Sequence, residues 1–173
     1  MRLRATRVAF LLLALAPALP VRAVGPTTTA ARQLASPVGL WEPLDSSGKP
    51  LGLIRIFERN GLYYGRIEPS SPTDDRNARC TRCRDERHNQ PIIGLVLMRH
   101  LRWENGEYVG GDILDPDTGR IYGCTLRLTD GGRHLIMRGF LGFSLLGQSQ
   151  TWRRLADPAA TPLRPSSAPS PSS

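Results

Sequence analysis

From Gly110 to Leu128 the chain spells a β-hairpin, and this pattern constrains everything around it. Asp115-Pro116-Asp117-Thr118-Gly119 is dense in turn chemistry: proline presets φ, aspartate bonds back to nearby backbone, and glycine accepts a positive φ without a steric cost. Beyond it Tyr122, Cys124, Leu126 and Leu128 alternate with Gly123, Thr125 and Arg127, the period of two that marks a half-buried strand. Similar units recur along the chain. Asn60-Gly61, Glu104-Asn105-Gly106 and Asp130-Gly131-Gly132 punctuate short apolar-polar segments, and Asn-Gly is the strongest short-range hairpin signal. The segments predict strands over 38–41, 51–58, 62–68, 107–114, about 120–128, 134–141 and 148–155, with one more from the apolar run 91–98. Periodicity leaves that run open between strand and short helix. About eight short strands joined by sequential hairpins predict an all-β domain, a small antiparallel up-and-down barrel that leaves no sheet edge exposed.

The first 23 residues carry an address. Arg2, Arg4 and Arg7 precede the apolar run Val8 to Ala16, and Val21-Arg22-Ala23 offers small residues for cleavage after Ala23, the layout of a secretory signal peptide. Pro17 and Pro20 interrupt the run, which falls short of the ~20 apolar residues of a bilayer span. No integral membrane segment is expected in the mature protein. The formal charge of +8 includes Arg2, Arg4, Arg7 and Arg22, whose loss leaves +4. That bias is too modest, and too poor in aromatic-basic motifs, to imply nucleic acid. Residues 24–36 and 156–173 are rich in Pro, Thr, Ala and Ser and read as a disordered linker and tail. The domain is expected over 37–155.

Candidate chemistry is sparse. Cys80-Thr81-Arg82-Cys83 lies in the long irregular stretch 69–91. In an oxidising compartment it reads as a disulfide, either within the motif or from one member to Cys124. Zinc would need ligands that only His88 begins to supply, and a redox role would want a helix N-terminus. Gly142 to Gly147 imitates a nucleophile elbow with its second glycine one residue late. His88, His100 and His134 read as surface residues, so no enzyme is expected and no catalytic, metal or cofactor site is assigned. Arg66 and Arg138 each stand among aromatic and aliphatic neighbours: Tyr64 beside one, Ile136 and Phe140 beside the other. Outward, they lie along the barrel wall; inward, they would orient an anionic head group in a cup.

Gly39-Leu40-Trp41, Gly65-Arg66-Ile67, Cys80-x-x-Cys83, Pro91-Ile92-Ile93-Gly94-Leu95, Gly111-Asp112-Ile113-Leu114-Asp115-Pro116, Gly119-Arg120-Ile121-Tyr122, Met137-Arg138-Gly139-Phe140 and Gln150-Thr151-Trp152-Arg153-Arg154 follow one another in order. As a set they resemble the exported bacterial family catalogued as domain of unknown function 2147 (DUF2147), over essentially all of 37–155. The resemblance implies a lipocalin-like (calycin) barrel in the periplasm or outside the cell. It carries no established activity, and Cys124 is an addition to its usual pattern. In such barrels a Gly-x-Trp on the first strand meets an arginine of the last, which closes the base by a cation–π contact; here Trp41 would meet Arg153 or Arg154.

Two functions follow as expectations. The first is an exported, non-enzymatic barrel binding a small apolar or amphipathic molecule, anionic if Arg66 and Arg138 face inward, with Tyr64, Tyr122 and Phe140 near the pocket. The second is an envelope or extracellular protein–protein interaction module that uses the basic loop 76–87.

Overall fold

The computed structural model describes residues 36–142 and 147–156. The segment read as a signal peptide (1–23), nearly all of the stretches read as linker and tail, and the centre of the Gly142–Gly147 connection lie outside the described residues. Eight strands run in chain order: β1 (Gly39–Pro43), β2 (Leu53–Arg59), β3 (Leu62–Glu68), β4 (Val96–Glu104), β5 (Glu107–Asp115), β6 (Arg120–Thr129), β7 (His134–Phe140) and β8 (Gly147–Leu155). Each pairs antiparallel with the next, and β1 pairs with β8 as well, so the sheet closes into an up-and-down barrel.

The turn residues act as their chemistry requires. Asn60 and Gly61 have φ of 55° and 76°, and Asn105 and Gly106 have 48° and 94°, the positive pair of a type I′ hairpin. Asp115 accepts hydrogen bonds from the Asp117 amide at 2.9 Å and the Thr118 hydroxyl at 2.7 Å. These hairpins gather at two ends. The tight turns 60–61, 105–106 and 130–132 stand at one, the hairpin end. The longer connections 44–52, 69–95 and 116–119 stand at the other, the loop end.

The register fixes which face looks inward. Ile54 and Ile56, Met98 and Leu101, Leu126, Leu135 and Trp152 are buried together around Trp41. Gly65 makes room for this packing: a Cβ there would lie 2.9 Å from Met98 Cε. The run 91–98 resolves as a strand only from Val96 onward. Met98 pairs with Ile113 on the inner face, which turns their neighbours Leu97 and Leu114 outward, yet both are buried. The excursion 69–95 covers them, placing Cys80, Cys83 and Leu95 in the same apolar cluster. A strand buried on both faces has no period-two signature, which is why its sequence was ambiguous.

The excursion is tied down at several points. Cys80 and Cys83 form the disulfide, with Cα atoms 5.4 Å apart, and Cys124 is free and buried. Backbone bonds run from the Cys80 amide to Gln90 O and from the Ile92 amide to Ala78 O, both 2.9 Å. Arg87, only 4% exposed, donates to Asp85 and to the Val96 and Leu97 carbonyls at 3.2 and 3.3 Å.

Candidate functional site

The plug at the hairpin end is built by one arginine. The Arg154 guanidinium lies 4.3 Å from the Trp41 ring centroid. It donates to Gly132 O at 2.7 Å, Val38 O at 2.9 Å and Ser36 O at 2.6 Å, and Trp41 Nε1–H donates to Pro37 O at 2.7 Å. Arg154 thereby knots the start of β1 to the β6–β7 turn. Its neighbour Arg153 has the opposite phase on β8, pairs in register with Glu42 and His134, and makes an ion pair with Glu42. Of the two arginines expected to close the barrel, only Arg154 does so. Nearby, burial pushes the Tyr108 hydroxyl up to about 12, helped by Tyr63 and Glu58 and opposed by Arg154.

At the loop end the inner face behaves differently. Along β8 the inward positions pass from Trp152, 1% exposed, to Gln150, half-buried, and Gln148, exposed. Along β7 they pass from fully buried Leu135 to half-buried Met137 and Gly139. On β6, Leu126 and Cys124 are fully buried and Tyr122 is half-buried. Solvent therefore reaches the inside of the barrel beside β6, β7 and β8, over a floor of Trp152, Leu126 and Cys124. This is a cup with apolar walls from Met137 and Tyr122 and amides from Gln148 and Gln150. Burial, with a smaller effect from Asp112, pushes the Cys124 thiol up to about 12, so the floor is neutral.

Of the five residues expected near a pocket, the register turns only Tyr122 inward. Tyr64 and Arg66 pair with Phe57 and Arg55 on the outer face. There Tyr64 stacks on Phe57 with centroids 5.6 Å apart and Arg66 donates to Glu68 at 2.8 Å. Arg138 pairs with outward Thr125, and Phe140 with outward Gly123. Phe140 covers that glycine, where a Cβ would sit 2.5 Å from the ring. The alternation of Gln148, Gln150, Trp152 and Arg154 was the signal that could have named the glutamines, since Trp152 and Arg154 already fixed the inward phase.

A second concavity lies outside the barrel, where the excursion meets β4. It encloses about 370 Å³ and is lined by Pro91, Ile93, Leu95 and Val96 with Glu86 and Arg99 among the charged groups. Arg99 is held there by Asp85, Glu86 and Asp112. A hydrogen bond from Arg87, outweighing burial, holds the Asp85 carboxyl below its ordinary range. The groove is thus bordered by ion pairs already satisfied within the chain. Arg76, Arg79, Arg82 and Arg84 of the basic loop are exposed, though Arg79 and Arg82 donate to the Asn89 and Asp117 carbonyls. Among the described residues no group of three or more metal-ligating side chains converges, and no helix is long and apolar enough to cross a membrane.

A closed eight-stranded antiparallel barrel, plugged at one end by Arg154 over Trp41, is a lipocalin-like fold. The chain belongs to the DUF2147 family, described as an uncharacterized protein conserved in bacteria, whose model matches residues 39–154. It is similar in structure to protein HP1028 from the human pathogen Helicobacter pylori, which belongs to the lipocalin family. The TM-score is 0.60 at 19% identity, over 70% of this chain and 84% of that one. No curated protein matches it in sequence.

Proposed function

We propose that this protein is an exported, non-enzymatic carrier or sensor of a small amphipathic molecule held in the cup between β6, β7 and β8. One observation carries the reading: inner-face residues of these strands lose their burial toward the loop end, passing from Trp152 to Gln150 and Gln148. A barrel that only filled itself would continue its apolar packing to that end. A mouth with apolar walls and a few placed polar groups is the usual form of a small-molecule site. Arg66 and Arg138 stand on outward positions, and the charged residues in the inward phase at the loop end, Asp115 on β5 and Arg120 on β6, pair with each other in register. The basic segment at residues 2–7 and the small residues at 21–23 support export with cleavage after Ala23.

Native mass spectrometry of the protein purified from its own source tests both parts. The expected result is a polypeptide lacking residues 1–23 that carries a dissociable adduct, and a thermal shift with a panel of fatty acids and their esters. A bare polypeptide with no shift across the panel would remove the binding function. An uncleaved N-terminus would remove the export.

A further inference from the structure

We infer that Gln150 reads the polar group of the ligand, selecting a hydrogen-bond acceptor such as the carbonyl of an acyl ester or amide. This rests on the binding function proposed above and narrows it to a chemical class. An indole N–H can only donate, so the 2.7 Å contact from Trp152 Nε1 falls on the amide oxygen of Gln150. That contact settles the orientation of the amide. Both hydrogens of Nε2 point away from the floor, and no protein group among the described residues accepts them. Because no buried side-chain nitrogen or oxygen there lacks a partner, Nε2 retains contact with solvent. Trp152 is itself 1% exposed and locked in the core, so the amide is held by a rigid neighbour and needs little ordering when a ligand arrives.

The surroundings set the rest of the chemistry. Met137 pairs with Gln150 in register and packs against the core, which gives an alkyl chain its wall. An ionised carboxylate would find the two N–H donors, while Arg120, the cation in the inward phase of β6, stands opposite Asp115 in register and so offers no unbalanced charge to offset its desolvation. An ammonium would meet the two N–H donors of Gln150, whose oxygen is turned to Trp152. A neutral carbonyl oxygen on an apolar chain matches both the donors of Gln150 and the apolar wall beside it.

The test titrates the full chain, read by tryptophan fluorescence, with three probes that share one saturated alkyl tail: the methyl ester, the carboxylate and the primary ammonium. The ester is expected to bind about tenfold more tightly than the ammonium, the scale of one well-placed hydrogen bond against one unmatched donor. Gln150→Glu still accepts from Trp152 but presents a carboxylate to the cup, so the order should reverse in favour of the ammonium. Gln150→Leu should flatten the order without reversing it, and it carries the test if the glutamate variant does not fold. A purely structural Gln150 would leave the order unchanged in both variants, and that result overturns the inference while leaving the cup as a binding site. If none of the probes binds the unaltered protein, the binding function and the reading of Gln150 fall together.

Discussion

Arg153 and Arg154 are chemically identical neighbours with unrelated work, because one step along a strand reverses the face. Arg154→Ala removes a cation–π contact and leaves three backbone carbonyls at the plug without their donor, a loss of about 2–4 kcal/mol. Arg153→Ala breaks a half-exposed ion pair with Glu42 and should cost about 1 kcal/mol or less. Urea denaturation of the two variants checks the contrast, and equal losses would mean the plug is misassigned. Cys124 offers a second test at this scale. Its thiol, raised to about 12 from 9.0 by burial, stays neutral in the fold but ionises in the unfolded chain. Stability is therefore complete below pH 9 and falls by about 1.4 kcal/mol per pH unit above it, until the folded thiol ionises too. Thiol reagents at pH 8 should label Cys124 only after denaturation. Arg66, Arg138, Tyr64 and Phe140 show where residue-level reading stopped. Each strand carries apolar side chains on both faces, so alternation revealed the period and not its phase. The outer face of β2 and β3 has its own aromatic stack, Phe57 on Tyr64 with Arg59 above it, and from sequence that looks like a core.

The element that sequence described least is the excursion 69–95. Turn residues and charge marked it as loop, while its fixed course depends on contacts far apart in the chain. Arg82 O approaches the β5–β6 turn so closely that a Cβ on Gly119 would lie 1.8 Å from it. Arg87 reaches the carbonyls of β4 through its buried guanidinium. Arg87→Met removes the guanidinium from Asp85, which keeps the residue-87 amide and Arg99, and leaves two carbonyls without their side-chain donor, so it should destabilise by about 2–4 kcal/mol. Replacing Cys80 and Cys83 by serine opens only a very short covalent loop, worth about 2 kcal/mol by chain entropy. The excursion should then become trypsin-sensitive sooner in the Arg87 variant than in the cysteine pair. The opposite order would make the disulfide, and not the arginine, the main tether.

At the scale of the whole molecule, the barrel was legible because hairpin chemistry is local. Asn60-Gly61, Asn105-Gly106 and Asp115 to Gly119 each declare a turn within a few residues, and eight strands so joined have few other ways to bury one face. Its cup was not legible, because an inside exists only once β8 returns to β1 and fixes which residues share it. Gln148 and Gln150 look like solvated strand residues until Trp152 defines their face. The three tryptophans now report from distinct places: Trp152 at the floor of the cup, Trp41 beneath Arg154, and Trp103 on the hairpin-end rim, 55% exposed. The most direct measurement is a titration of the ¹⁵N-labelled protein with the alkyl methyl ester, following the three indole N–H resonances. The cup predicts that the Trp152 signal moves in a saturable way while Trp41 and Trp103 stay in place. Movement of Trp103 alone, or of none of the three, would contradict it.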